Sequence, residues 1–310
     1  MRKALLLYNP LSGRGSERRL QEIESVLAVM RGVGLDVSSS PTKSAADTTA
    51  QAHQASASGY DAVFACGGDG TIHAVLQGLA GTEVALGIIP MGTANVLAHD
   101  LGLPLRPEKA ARAALSAEPR RIAVGKIEYR DLAGNERARF FTVALGVGAD
   151  AHMFYNVDPA LKRRFGVLSY YGKATWIWLT HRMEGFRVEL DGNHNYTDVT
   201  QLLSVRVRNF GGVLREFVPS ASLERNDLRL VMFHTRRRLA YLGYVCCRML
   251  GMKRKVREIE NYEANSIVCT LLQNSAGSRV FVEADGELLG TLPAKISIVP
   301  DALTLLFPKH

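Results

Sequence analysis

Three turns rich in glycine and small polar residues follow three short apolar runs: Asn9-Pro10-Leu11-Ser12-Gly13-Arg14-Gly15, Cys66-Gly67-Gly68-Asp69-Gly70-Thr71 and Pro90-Met91-Gly92-Thr93-Ala94-Asn95. Glycine lets a backbone turn tightly and approach a ligand with no Cβ in the way. After the middle turn, Ile72, Val75, Leu76 and Leu79 recur at helical spacing, so a helix N-terminus follows it. Such a terminus presents N–H groups and partial positive charge to phosphate oxygens. Asn9, Ser12 and Arg14 add side-chain donors to the first turn. Asp69 is too acidic for phosphate contact alone and suits a role through Mg2+ or an acceptor hydroxyl. His73, just inside the helix, could touch a phosphate or pack against a neighbouring element. One Asp-Gly turn between a strand and a helix would be unremarkable; three turns of this kind after successive strands are a phosphate-binding pattern.

The elements that must position these turns are legible from periodicity. Residues 4–8, 35–40, 62–66 and 85–89 read as strands, and Leu20, Ile23, Leu27 and Met30 form one apolar helix face. Strands alternating with amphipathic helices predict a doubly wound parallel sheet over residues 1–121, whose strand ends line a ligand crevice. Beyond Pro119-Arg120-Arg121 the apolar runs are closely spaced, at 140–145, 186–190, 202–207, 228–233 and 267–271, with turn signals between many of them. Residues 122–300 are therefore expected to be mostly antiparallel β, interrupted by helices over 159–183 and 236–252. The last run, 303–307, could join either domain, so 301–310 is a candidate to return to the first.

Composition bounds the class. A chain of 310 residues with 47% hydrophobic and 22% charged residues folds throughout, in two domains. No apolar run reaches the roughly 20 residues of a membrane span, and the N-terminus is too short for a signal-peptide core, which predicts a cytosolic enzyme. The four cysteines lack metal-ligand spacing and read as buried, reduced thiols. A net charge of +8 implies an anionic partner; no nucleic-acid recognition motif accompanies it. Two segments fit an anionic membrane surface. Lys162-Arg163-Arg164-Phe165 leads into Tyr170, Tyr171, Trp176 and Trp178, and Arg236 to Arg238 precede Leu239, Tyr241, Leu242, Tyr244 and Val245. The competing reading for both is a core-packed helix with solvated basic ends.

The ordered blocks NPLSGRG, GGDGTIHAVLQGL and LGIIPMGTANVLAHDLGLP resemble the diacylglycerol kinase catalytic family, which includes bacterial lipid kinases and sphingosine and ceramide kinases. The resemblance continues through residues 143–150, Asn209-Phe210-Gly211-Gly212 and Asp285-Gly286-Glu287, covering nearly the whole chain. GGDGT alone is shared with NAD kinases and phosphofructokinases. The resemblance implies an NAD-kinase-like fold and ATP, with Mg2+, bound by Asn9, Pro10, Leu11, Ser12, Gly13, Arg14, Thr42, Gly67, Gly68, Asp69, Gly70, Thr71, Ile72, His73, Gly92, Thr93 and Asn95. It also implies transfer of the γ-phosphate to the hydroxyl of diacylglycerol or a similar lipid, giving a phosphatidate-type product at the inner face of the membrane. Asp285, Glu287 or Asp69 would accept the hydroxyl proton; the residues alone also allow Asp285-Gly286 to be a plain hairpin turn. The alternatives are a soluble NAD-kinase-like enzyme and a non-catalytic nucleotide- and lipid-binding module. Many family members dimerise, though no residue here signals it.

Two departures stand out. Val96 follows Asn95 where many members carry an acid, and the next acid is Asp100. Where many bacterial members hold a structural Mg2+ on an Asp-Gly turn, this chain reads Glu224-Arg225-Asn226-Asp227. Glu224 and Asp227 remain candidate ligands there, beside an arginine that repels a cation.

Overall fold

The computed structural model describes residues 1–10, 16–148, 183–211, 217–252, 256–272 and 279–309. The chain divides into two compact units, one of Met1–Val124, Asn209–Gly212 and Val299–His310, the other of Gly125–Arg208 and Val213–Ile298. Asn209–Gly212, which the sequence reading left inside the second domain, therefore belongs with the first unit, as does the C-terminal return.

The first unit is an alternating α/β assembly: β1 (Lys3–Tyr8), α1 (Ser16–Arg31), β2 (Asp36–Pro41), α2 (Ala45–Ala57), β3 (Ala62–Gly67), α3 (Asp69–Leu79), β4 (Ala85–Pro90), α4 (Val96–Asp100) and α5 (Pro107–Leu115). With the end of β15 (Glu287–Phe307) its strands run in the order β15-β4-β3-β1-β2. Every neighbouring pair is parallel, as in Lys3↔Asp36, Ala4↔Ala62, Ala62↔Ala85 and Thr304↔Ala85. Parallel strands covered on both faces need continuous apolar runs, which explains why β3 and β4 are buried at every position. Parallel pairing also brings the C-terminal ends of β1 to β4 to one edge, with the turns that follow them.

One face of this sheet packs Ala4, Leu6 and Phe64 against Ile23, Val26, Leu27 and Met30 of α1 and three alanines of α5. The sequence reading put Leu20 on that α1 face; it is exposed, and Arg19 is buried instead. The buried stripe runs Arg19, Ile23, Val26, Leu27, Met30, so Arg19 sits one turn before Ile23. It is admitted because its Nη2 donates to the Met91 carbonyl at 2.9 Å.

The second unit is a β-sandwich. After β5 (Glu118–Arg130) come β6 (Glu136–Phe141), β7 (Ala144–Gly148), β8 (Phe186–Leu190), β9 (His194–Val199), β10 (Gln201–Val205), β11 (Leu228–Phe233), α6 (Arg238–Met249), β12 (Ile259–Ala264), β13 (Ser266–Leu271) and β14 (Phe281–Ala284). Strands pair in the order β12-β11-β10-β7-β14-β15, and β15 also pairs β13, which pairs β8. Phe141, Phe186, Val188, Leu202 and Ile267, all fully buried, anchor the shared core. Truncating either phenylalanine would cost about 3–5 kcal/mol.

The single strand expected over 140–145 is two strands, because the N–H groups of Thr142, Val143 and Ala144 turn to the Asp285 carboxylate. The helix expected over 236–252 is the shorter α6, and the one expected over 159–183 lies outside the described residues but for Met183. Among the described residues no helix is long and apolar enough to cross a membrane. Cys66 and Cys269 are buried as expected, whereas Cys246 is exposed and Cys247 half-buried. Burial pushes the Cys66 thiol up to about 12, so it stays protonated and inert. Cys246 escapes burial because Tyr241 and Tyr244 take the inward phase of α6.

Candidate functional site

At the edge of the first unit the turns after β3 and β4 lie against each other. A Cβ on Gly92 would stand 2.4 Å from the Gly68 Cα, and one on Gly68 would stand 3.1 Å from the Gly92 Cα. Only a pair of glycines lets the two backbones come this close. Met91 N–H closes the approach on the Gly67 carbonyl at 2.8 Å.

Asp69 locks the two turns together. Its Oδ2 accepts the Asn95 N–H at 2.9 Å and its Oδ1 accepts the Val96 N–H at 2.8 Å. Those amides belong to the start of α4, whose first N–H groups have no partner within the helix. Asn95, in the left-handed region with φ 48°, cannot supply that cap. Its side chain is folded back on the turn instead, with Oδ1 accepting from Gly92 N–H and Nδ2 donating to the Gly92 carbonyl, both at 2.9 Å. The Asp69 carboxylate is thus a brace between the two turns. Gly70, Gly92, Thr93 and Ala94 are the exposed residues of this surface.

The remaining sequence candidates distribute around it. Asn9 and Pro10 follow β1, half-buried, while Leu11, Ser12, Gly13 and Arg14 lie outside the described residues. Thr42 is buried after β2, its N–H and hydroxyl both donating to the Tyr8 carbonyl at 2.8 and 3.3 Å. Gly67 and Thr71 flank the middle turn. Ile72 and His73 are each only 3% exposed, and His73 Nε2 hydrogen-bonds Gln77 Nε2 at 3.0 Å, so these side chains belong to the packed face of α3. The acid displaced to Asp100 holds the Asn209 N–H at 2.9 Å, and Asn209 Nδ2 donates to the His99 carbonyl at 3.3 Å. Sequence reasoning missed Arg19, whose only signal was its place one turn before Ile23.

Replacing Gly92 with alanine should therefore do more harm than replacing Gly68. Overpacking of this kind costs about 1–3 kcal/mol, so thermal melts should rank parent above Gly68→Ala above Gly92→Ala. Equal melting of Gly92→Ala and parent would show that the turns do not depend on this contact.

In the second unit the late acidic turn is a two-residue hairpin joining β14 to β15. Asp285 has φ 48° and Gly286 φ 80°, the pair of positive φ values that a type I′ turn requires. Asp285 Oδ2 accepts from Thr142 N–H at 3.0 Å, and Oδ1 from Val143 and Ala144 N–H at 2.9 and 3.0 Å. Its own N–H goes to the Ala144 carbonyl at 2.8 Å. Glu287, by contrast, keeps a 40% exposed side chain and pairs with Arg139 at 2.6 Å. The two carboxylates differ in kind: one is committed to backbone amides, the other stands at the surface beside a guanidinium.

Glu224 and Asp227 do not fit a divalent cation. Arg225 reaches Asp227 in a fork, Nε to Oδ1 at 2.6 Å and Nη2 to Oδ2 at 2.5 Å, and Arg229 approaches Oδ2 at 3.4 Å. The buried Arg206 turns its guanidinium to the Leu223, Arg225 and Asp227 carbonyls at 3.1–3.2 Å. Guanidinium groups already do here what a cation would do, and Glu224 is exposed. Among the described residues no group of three or more metal-ligating side chains occurs.

The Arg225 hydrogen bond, with Arg229 and Arg206 behind it, holds the Asp227 carboxyl below its ordinary value. A depressed carboxyl stabilises the fold above the unfolded carboxylate range, about pH 4, and that contribution is lost as pH falls through the lowered value. Arg225→Gln should raise the Asp227 titration midpoint read by NMR. Mg2+ added to the nucleotide-free protein should leave its Tm within about 1 °C, since a ligand without a site stabilises nothing. A rise of several degrees would restore the metal assignment.

Comparison with known proteins agrees with this architecture. Residues 3–127 match the family described as diacylglycerol kinase catalytic domain, and residues 142–307 match the YegS C-terminal NAD kinase beta sandwich-like domain. The chain is 32% identical over 312 residues to a diacylglycerol kinase of Mycobacterium tuberculosis (strain ATCC 25618 / H37Rv), covering 99% of this chain and 96% of that one. It is 27% identical to a diacylglycerol kinase of Bacillus subtilis (strain 168), covering 100% and 98%. A crystal structure of a diacylglycerol kinase from Bacillus anthracis str. Sterne superposes with a TM-score of 0.70 at 20% identity, covering 99% and 96%. Yeast NADH kinase shares the fold more distantly, with a TM-score of 0.52 at 10% identity over 99% and 84%. With both halves matched and a relative 32% identical over nearly its whole length, the chain belongs to the diacylglycerol kinase family of lipid kinases.

Proposed function

We propose that this enzyme transfers the γ-phosphate of ATP to the hydroxyl of diacylglycerol or a closely similar membrane lipid, releasing ADP and a phosphatidate-type lipid. ATP enters as its Mg2+ complex, so this ion belongs to the substrate. The observation that carries the reading is the Gly68–Gly92 approach with Asp69 bridging to Asn95 and Val96. It leaves two exposed, side-chain-poor turns and a helix N-terminus on one edge, which is what a triphosphate needs. Gly67 to Thr71, Gly92 and Thr93 surround the phosphates in this reading, with Asn9 and Thr42 farther along the nucleotide.

Glu287 is the proton acceptor in this proposal. The lipid oxygen forms a bond to the γ-phosphorus, the bond from that phosphorus to the ADP oxygen breaks, and the hydroxyl proton passes to the Glu287 carboxylate. Asp285 is a positioning residue, since its carboxylate is spent on three amides of the β6–β7 junction. Arg139 fixes the Glu287 carboxylate. A substrate embedded in a bilayer requires the protein to work at a membrane surface, which its +8 charge favours.

Purified protein incubated with labelled ATP should label diacylglycerol in mixed detergent micelles and leave NAD unlabelled. Label in NAD and none in lipid would replace this reading with the soluble-kinase one, and ATP binding with no transfer would replace it with the non-catalytic one.

A further inference from the structure

We infer that α6 is the element that docks on the bilayer, through a stripe of Leu239, Leu242, Cys246 and Leu250 laid against an anionic lipid surface. This inference rests on the reading that the substrate is a membrane lipid. The four residues recur at steps of three and four, so they share one helical face. Leu239 is 81%, Leu242 45% and Leu250 72% exposed, and Cys246 is exposed with them. An outer helix face on a soluble protein is ordinarily polar. This one carries Leu239, Leu242 and Cys246 along α6, about 18 Å long, with Leu250 at its C-cap.

The opposite face explains why the stripe is held outward. Tyr241 stacks on Phe233 with ring centroids 4.3 Å apart, and its hydroxyl meets Thr200 Oγ1 at 2.7 Å. Tyr244 packs edge-on to Phe217 and Phe233 and donates to the Phe217 carbonyl at 2.9 Å. Two aromatic anchors one turn apart fix the rotation of the helix. Of the two readings the sequence allows for this segment, the core-packed one holds for Tyr241 and Tyr244, which are the inward anchors.

Charge selects the occupant. Between Asp227 and Glu258 the chain has no acidic residue. Arg237 is exposed and Arg238 half-exposed at the start of α6, and Lys253, Arg254 and Lys255 follow it in sequence. Arg236 beside them is engaged by Asp198. An apolar stripe that begins beside Arg237 and Arg238, in a stretch of chain without acids, suits anionic headgroups above acyl chains. A second copy would bring one basic, acid-free stretch against another and be repelled.

The test compares the parent with Leu239→Ser/Leu242→Ser by flotation on phosphatidylcholine vesicles with and without phosphatidylglycerol. The parent should prefer the anionic vesicles, and the variant should bind them at least roughly tenfold more weakly, given the apolar area lost. In a Cys247→Ser background, an environment-sensitive dye on Cys246 should shift to the blue on anionic vesicles. Equal flotation of parent and variant together with an unshifted dye would overturn the proposal. Loss of self-association in the variant, seen by sedimentation, with flotation unchanged would overturn it in favour of a subunit interface. Activity on a monomeric short-chain diacylglycerol separates the two readings. The variant should retain the parent's rate there, whereas no activity in either protein would sink the lipid-kinase reading and leave the flotation result to decide docking.

Discussion

Replacing Asp69 with alanine should lower kcat/KM for lipid phosphorylation about a hundredfold, the loss that a displacement of about 1 Å in the positioning framework produces. The cause is structural and local. The Asn95 and Val96 amides lose a charged acceptor, and each charge-assisted hydrogen bond of this kind is worth about 1.5–3 kcal/mol. Without it the turn carrying Gly92 and Thr93 is no longer held against the turn carrying Gly68. The affinity for ATP should fall together with the rate, because the surface that binds phosphate is the one that loosens. Asp69→Asn should be intermediate. Its amide oxygen still accepts from one N–H, but its NH2 opposes the other. Steady-state kinetics on micellar diacylglycerol beside ATP-binding calorimetry would read both effects, and parental ATP affinity in Asp69→Ala would refute the brace.

The second large effect separates the carboxylates of the β14–β15 hairpin. Glu287→Gln should abolish transfer by roughly 10²–10⁴-fold, the contribution of a positioned general base. Its Tm should change little, since the partner lost is one partly exposed ion pair worth about 0–1 kcal/mol. Asp285→Asn should instead lower the Tm as well as the rate. An amide there turns an NH2 against the Thr142, Val143 or Ala144 N–H, leaving backbone donors unpaired at about 1–3 kcal/mol each. Measuring kcat and Tm for the two variants side by side decides the assignment. Full stability in Asp285→Asn with activity lost, and retained activity in Glu287→Gln, would exchange the two roles.

The sequence by itself determined the alternating elements of the first unit and the glycine turns that end its strands. Runs such as 62–66 and 85–89 are apolar at every position because parallel strands are covered on both faces, so the first unit could be read from local pattern. The glycine turns were legible because glycine between an apolar strand and a helix marks a tight turn or a close backbone approach, as at Gly68 and Gly92. Local pattern could not decide which groups meet across long sequence separations. Asp69 bonded to amides 26 and 27 residues away, Asp285 bonded to amides more than 140 residues away, and Arg225 occupying the place expected for a metal are products of tertiary packing. Leu20 was placed on the buried face of α1 in place of Arg19, and the facing of the two α6 tyrosines stayed open, for a related reason. Periodicity reports that a helix has a buried face, but only the contacts available on each side determine its rotation, and an arginine is buried when a carbonyl awaits it. Spacing along the chain therefore specified which chemistry was possible, whereas the tertiary structure decided which carboxylate braces the backbone and which remains exposed at the surface, because each amide takes the nearest acceptor in space.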